Sequence, residues 1–393
     1  MKFLIRLHEE VSELPSLVDH KFIENTLTDL VQISSVNPPG SAIEIVEYLA
    51  QLSEKEGFSL WRQKVEQNME NIIIAPFDNA LKGRKIALVG HLDTVPIGDN
   101  WTKDPLGKDR DRDILYGRGA ADMKAGVTAF LAVLKKIKEL EELPTVTPVF
   151  IGTADEEVRM RGSRKFLGNN DFQKPLDFVV IGEPTGLKLG IAEKGIFHVK
   201  MHTKGVAAHG SRPELGRNAI DISYSVFNQI RKKMPTKPDE LLGPPTMNLG
   251  TLVGGTKINV VPDTCVAELD FRFGPSYTSD LIENVVQEAC RIVESPCSIE
   301  HEVVHQLPAL TTDQNHPFIQ KVRNELENLG YKSIVSGLTF ATDAAVLIPE
   351  WKVPFLIFGP GNQDVLHIAN EWVSIKETID AAQILTNAII SFN

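Results

Sequence analysis

Four short runs in the first half of the chain are almost continuously apolar: NIIIA at 71–75, KIALVG at 85–90, TVTPVFIGT at 145–153 and DFVVIG at 177–182. A strand with one face in water alternates apolar and polar residues, whereas a strand covered on both faces does not. Runs of this kind therefore require helices on both sides of a sheet, and helical patterns lie between and before them. HKFIENTLTDLVQI places Phe22, Leu27, Leu30 and Val31 near one face and stops before SSVNPPG, where Pro38, Pro39 and Gly40 end it. SAIEIVEYLAQLSEKEG stops at Gly57, and ADMKAGVTAFLAVLKKIKEL carries apolar residues at 123, 127, 130, 134 and 137, the spacing of a helix. The alternation predicts an α/β fold with a mostly parallel sheet.

The rhythm changes near Gly195. FHVKMHTKG, PTMNLGTLVGG and TCVAELDFRFG read as half-buried antiparallel strands, with helices NAIDISYSVFNQIRKKM and TSDLIENVVQEACRIVES among them. This β-α-β-β-α-β order is a split βαβ, ferredoxin-like α+β unit. HPFIQKVRNELENLG and VPFLIFGPG then return to the first style. The expected organisation is a discontinuous α/β domain, residues 1–194 and 307–393, interrupted by an inserted domain at 195–306.

Composition removes several classes of function. The net charge of −11, with no Lys/Arg stripe, argues against nucleic-acid binding, and an anionic substrate would need a local cationic clamp. The opening MKFLIRLHEEVSELPS reads as neither a secretory leader nor a membrane span, and no later run reaches spanning length. Cys265, Cys290 and Cys297 form no CxxC pair and no even-numbered framework. Free thiols and a cytoplasmic location are expected, with no membrane partner.

Acids and histidines follow the apolar runs. KIALVG leads into His91 and Asp93, TVTPVFIGT into Asp155, Glu156 and Glu157, DFVVIG into Glu183, and VPFLIFGPG into the loop of His367. Asp122 stands at the start of the third helix pattern, after YGRGAAD. Ligands of open α/β sheets bind beyond the carboxyl ends of the strands, so parallel neighbours would gather these groups in one crevice. Taken singly each has an ordinary reading: a hydrogen-bonded histidine, a solvated acidic loop, a helix cap at Asp122. A dinucleotide loop is a poor reading, since Gly117-x-Gly119 has Asp122 where the third glycine belongs. Together, so many carboxylates in a crevice repel one another unless cations neutralise them. Histidines and carboxylates without cysteine suit zinc, with cobalt or manganese as substitutes, and there are enough of them for two metal ions sharing a carboxylate.

GHLDTVP, GRGAADMKAG, ADEE, GEPT, KGVAAHGSRP, INVVPD followed by DFR, and FGPG with HIANE occur in one order. In this the chain resembles the acetylornithine deacetylase / succinyl-diaminopimelate desuccinylase family, di-zinc metallopeptidases grouped with the aminoacylases and glutamate carboxypeptidases. The resemblance runs from the NPPG turn at 37–40 to HIANE at 367–371. It implies that His91 and Glu183 hold one metal, Glu157 and His367 the other, and that Asp122 bridges them. Glu156 would be the general base, or would exchange roles with Glu157, and Asp93 would orient His91 as a hydrogen-bond partner. His209 would stabilise the oxyanion, usually from a partner subunit, and Arg272, Asn259 and Asn362 would bind substrate. Arginine suits a carboxylate because its planar fork pairs with both oxygens.

The resemblance thus implies an amidohydrolase that removes the acyl group from a small N-acyl amino acid. It also implies a homodimer formed through the inserted domain, and hinges near 190–197 and 303–308. A dipeptidase or glutamate-carboxypeptidase-like exopeptidase would share the metal residues. A metal-binding scaffold without catalysis would lack a ligand or the base, and neither is missing here.

Overall fold

The computed structural model describes residues 17–40, 42–168, 172 and 175–392. The opening stretch MKFLIRLHEEVSELPS, on which the reading of the N-terminus rests, lies outside them. The chain divides into two compact units. One takes in the described residues up to Leu187, Pro317–Ser333 and the chain from Phe358 on. The other takes in Lys188–His316 and Ile334–Ile357.

In the first unit the strand Lys85–His91 is buried along its whole length, as its unbroken apolar pattern requires. It pairs in parallel with Thr147–Thr153 on one side and Leu176–Ile181 on the other. Antiparallel strands then extend the sheet, Met69–Ala75 against Thr147–Thr153 and Ser59–Glu66 against Met69–Ala75. Continuous apolar runs mark the three parallel strands and also Met69–Ala75, which is antiparallel but buried at all but one position. Ser59–Glu66, at the edge, has an alternating pattern and was not singled out. The register matters for function. His91 stands opposite Thr153 and Val89 opposite Ile181, so the three parallel strands end nearly in line and their following loops leave from one edge.

The helix Ala125–Lys138 has eleven of its 14 residues buried, a larger share than any other α-helix among the described residues. It begins later than the periodicity suggested. Asp122 (φ −114°, ψ 92°) and Met123 (φ −132°, ψ 37°) are not helical, so Asp122 sits on an irregular segment ahead of the helix rather than within its first turn. At Gly126 the helix meets the Gly182 carbonyl so closely that a Cβ there would lie 2.0 Å from the oxygen. That approach sets the Asp122 segment beside the Glu183 loop.

The second unit contains the split βαβ arrangement. Its four strands lie in the order Thr246–Gly254, Thr264–Phe273, Gly195–Lys204, Ser298–Leu307, and every pair is antiparallel. Helices Ala219–Lys233 and Ser279–Cys290 supply Val226, Phe227, Ile230, Ile282 and Val286 to a core with Phe197, Val199, Met201, Leu269 and Phe271. Cys265, Cys290 and Cys297, all in this unit, are free thiols.

Replacing Gly126 by alanine forces a methyl group into backbone that cannot move independently. The expected cost is about 1–3 kcal/mol, read from the midpoint of urea unfolding. A midpoint equal to that of the parent would show that the helix is free to shift.

Candidate metal centre

Every proposed metal ligand belongs to the first unit. His91 closes its strand, and its Nδ1 lies 2.8 Å from the Asp93 carbonyl oxygen. An Nδ1–H given to a carbonyl leaves the Nε2 lone pair of the neutral ring free for a metal. Nε2 faces Asp122 Oδ1 at 2.9 Å and Glu183 Oε1 at 3.6 Å. The other oxygen of Asp122 lies 3.1 Å from His367 Nε2, which is also 3.3 Å from Glu157 Oε2. Asp122 thus stands between two clusters, one with His91 and Glu183, the other with His367 and Glu157.

The Asp93 carboxylate does a different job from the one expected. Its nearest approach to His91 Nδ1 is 3.9 Å, and the main-chain carbonyl holds the ring instead. The carboxylate turns to the next loop, accepting from the main-chain N–H of Glu156 (3.1 Å) and of Glu157 (3.3 Å), and from Asn37 Nδ2 (2.9 Å). The physical reason is the turn after the strand: it brings the Asp93 carbonyl back to its own strand end, which frees the side chain to fix the glutamate pair. Asp155, the first acid of ADEE, takes a left-handed backbone (φ 67°) and is neutralised by Arg161, with Nε 2.6 Å and Nη2 2.9 Å from its two oxygens. It is an anchor for the loop, and Asn37 Nδ2 joins it at 2.9 Å.

The charge balance is the strongest feature of the cluster. Burial alone would push the His91 imidazole down, but its hydrogen bond to Asp122 and the charges of Glu183, Asp122 and Glu156 hold it well above the usual 6.5. His367 is pushed up to about 10 by Asp122 and Glu157. Burial works against ionisation of Asp122, yet hydrogen bonds from His367 and His91 hold it below the ordinary carboxylate range. Negative charge is in excess, and the site draws in protons to balance it.

The residues fit divalent cations. Donor atoms of His91, Asp122 and Glu157 lie within 4.8 Å of one another. Glu157 Oε1 is buried with no hydrogen-bond partner, a costly arrangement that a cation relieves. Nitrogen and carboxylate donors without sulfur match zinc, cobalt or manganese.

Of the remaining candidates, His209, Asn259 and Arg272 belong to the second unit, and Asn362 precedes His367 by five positions. His209 and Asn259, both exposed, meet within the second unit, where Gly210 N donates to the Asn259 carbonyl at 2.8 Å and His209 bridges Val260. Arg272, also there, gives its Nε to Asp270 Oδ1 at 2.7 Å. Asn362, in the first unit, is exposed and accepts from Asp364 N at 3.0 Å, capping the short turn that leads to His367. Residues to which the sequence reading gave no role are Asn37, Arg118, Arg161 and Glu371. Asn37, Arg118 and Glu371 fall inside the quoted stretches NPPG, GRGAAD and HIANE, which was the available signal.

A family model described as Peptidase family M20/M25/M40 matches residues 87–391. The chain belongs to that family and is a metal-dependent hydrolase acting on amide bonds. A probable succinyl-diaminopimelate desuccinylase of Staphylococcus aureus (strain N315) is 30% identical, over 93% of this chain and 96% of its own. An acetylornithine deacetylase of Vibrio campbellii is 31% identical, over 97% and 99%. Among solved structures, a Staphylococcus aureus tripeptidase shares the fold with a TM-score of 0.76 at 21% identity, over 95% of this chain and 98% of that one. A Bacillus subtilis protein described as a dinuclear metal binding peptidase from the M20 family does so with a TM-score of 0.69 at 15% identity, over 94% and 97%. No helix among the described residues is long and apolar enough to cross a membrane.

The raised imidazoles give a linkage test. A histidine whose folded pKa exceeds its unfolded value stabilises the protein fully below the unfolded value and loses that contribution as pH rises through the folded one. Chelator-treated protein should therefore lose stability between about pH 6.5 and about 10, the window set by His367. Apparent zinc affinity should rise over the same range, because the metal displaces those protons. Thermal melts of stripped and zinc-loaded protein across pH check both. A flat profile for the stripped form would remove the proton-for-metal exchange.

Proposed function

We propose that this chain removes the acyl group from a small N-acyl amino acid, acetylornithine-like or succinyl-diaminopimelate-like, with two divalent cations, zinc or its cobalt or manganese substitutes. The observation that carries the reading is Asp122, whose two oxygens face two histidines, each with a further glutamate. The names of the relatives matched along nearly the whole chain support the substrate class.

Bound there, two cations would supply Lewis acidity and acidify a water. His91, Glu183 and Asp122 would hold one, and His367, Glu157 and Asp122 the other. Glu156 is then the general base: it takes a proton from the attacking water and gives it to the departing amine. The division of labour between neighbouring glutamates is supported by their backbone, since both N–H groups are held by the one Asp93 carboxylate. Water adds to the acyl carbonyl, the C–N bond breaks, and a carboxylate and a free amine are the products.

His209 is assigned to the oxyanion. Its Nδ1 accepts from Ser211 N at 3.2 Å, so the neutral ring carries its proton on Nε2, the tautomer that can donate. Arg272 is assigned to the substrate carboxylate, with Asn259 and Asn362 as further contacts. Its Nε is committed to Asp270, which leaves the end of the fork for a ligand. A homodimer through the inserted domain at 195–306, and closure of that domain about its two connections, belong to the same reading. The exposed edge strand Thr246–Gly254, with Val253 at its end, supports the dimer.

The deciding experiment is amine release from N-acetylornithine, N-succinyl-diaminopimelate, other N-acyl amino acids and a few dipeptides, after chelation and zinc or cobalt restoration. Metal-restored cleavage of one N-acyl amino acid well above the dipeptides is expected. A preference for dipeptides would replace the reading with an exopeptidase. In Glu156→Gln, two metals should remain bound while turnover falls about 10²–10⁴-fold. Unchanged kinetics would remove the base assignment. His209→Ala should lower kcat by about 10²–10³ with little change in KM, and a rise confined to KM would make it a binding residue instead.

A further inference from the structure

His367 differs from the other ligands in how it is held. His91 and Glu183 follow buried strands, and Glu157 lies on a loop fixed by Asp93 and Asp155. His367 stands half-exposed on an irregular segment with a left-handed backbone of its own (φ 61°). Four residues later that segment reaches Glu371, which is 0% exposed.

Glu371 ties this segment to its neighbours through both carboxylate oxygens and its main-chain carbonyl. Its Oε1 accepts from two consecutive main-chain groups, Ala121 N at 3.0 Å and Asp122 N at 3.1 Å. Its Oε2 accepts from Arg118 Nη1 at 2.6 Å, and its main-chain carbonyl accepts from Gly117 N at 2.9 Å. Arg118 is itself buried, gives Nη2 to the Ile97 carbonyl at 3.0 Å, and lies over the Trp101 ring at 5.3 Å. The neighbouring Asn370 Oδ1 accepts from Thr102 N at 2.9 Å and Lys103 N at 3.0 Å. The stretch 367–371 is therefore fastened at its far end to the segment that presents Asp122 and to the loop before it. Since Asp122 is not helical, no helical ladder sets its direction, and the bonds to Glu371 take that place.

We propose that Glu371 is a positioning residue for the His367 end of the metal centre: by fastening the His367 segment to the backbone of Asp122 it sets the distance between those two ligands, and with it the affinity for the second metal. This rests on the two-metal reading above. Its oxygens are occupied by Ala121, Asp122 and Arg118 donors, so it contributes as a strut and not as a ligand. The effect is unequal. Asp122 serves both positions, but His91 and Glu183 are held by strand ends that do not depend on Glu371, so the first metal position should be disturbed less than the second.

A glutamine at 371 has one oxygen for two sets of donors and cannot satisfy both the backbone pair and Arg118. Zinc titration of chelator-stripped protein by calorimetry, with cobalt d–d absorption as a second readout, resolves the two positions. The wild type should take up two metals. Glu371→Gln should weaken the second affinity by about 10–100-fold, the usual cost of losing an outer partner of a ligand, and the first by a clearly smaller factor. Asn370→Ala, which loosens the same segment without touching Asp122, should weaken the second position in the same direction, and it serves as the test if the glutamine variant does not fold. Two positions with wild-type affinities in the folded variant would overturn the strut, as would equal weakening of both. A wild type that binds fewer than two metals would instead defeat the two-metal reading itself.

Discussion

The carboxylate of Asp122, buried between two imidazoles, is the interaction around which the first unit is arranged. Its oxygens lie 2.9 Å from His91 and 3.1 Å from His367. Neither histidine is near it in the chain. A buried charge is tolerated only when it is paired, and the pair here is assembled from residues 31 and 245 positions away. Much of the neighbouring architecture serves this meeting. The aligned ends of three parallel strands bring His91, the glutamate pair and Glu183 to one edge. The close approach at Gly126 brings the Asp122 segment to Glu183. The bonds of Glu371 bring in the His367 segment.

The same electrostatics explain why a hydrolase can be built from groups that are individually ordinary. The cluster raises both histidines and lowers Asp122 because it is short of positive charge. Protons answer that need in the metal-free protein, and divalent cations answer it better, since each brings two charges and accepts several donors at once. The unpartnered Glu157 oxygen belongs to the same account, as a buried acceptor that a cation would satisfy. Family membership and the arrangement of charge thus point to one chemistry by independent routes.

How far the sequence could be read depended on the range of the force involved. Burial is local and periodic, so KIALVG, DFVVIG and the helices around them announced the α/β layers, and the alternation after Gly195 announced the second unit. The edge strand Ser59–Glu66 carries little burial and left no comparable trace. The proposed ligands His91, Glu157 and Glu183 could be picked out because strand ends impose where they fall. The struts could not be: Arg118, Asn37 and Glu371 act through hydrogen bonds across tens to hundreds of positions, and nothing in their spacing marks the partner. Asp93 shows the limit most plainly. Its proximity to His91 was evident, but which of its oxygens faces the ring depends on a turn that no periodicity encodes.

The wide separation of the ligands has a consequence for biosynthesis. A ribosome delivers residues in order, so His91, Asp122, Glu157 and Glu183 all emerge before the second unit has been made. His367 comes roughly 180 positions after Glu183, with residues of both units between them. A nascent chain therefore carries His91, Asp122, Glu157 and Glu183 well before it can supply His367. On the two-metal reading proposed above, a chain stopped before that point lacks both a ligand of the second position and Glu371, which bonds the backbone at Asp122.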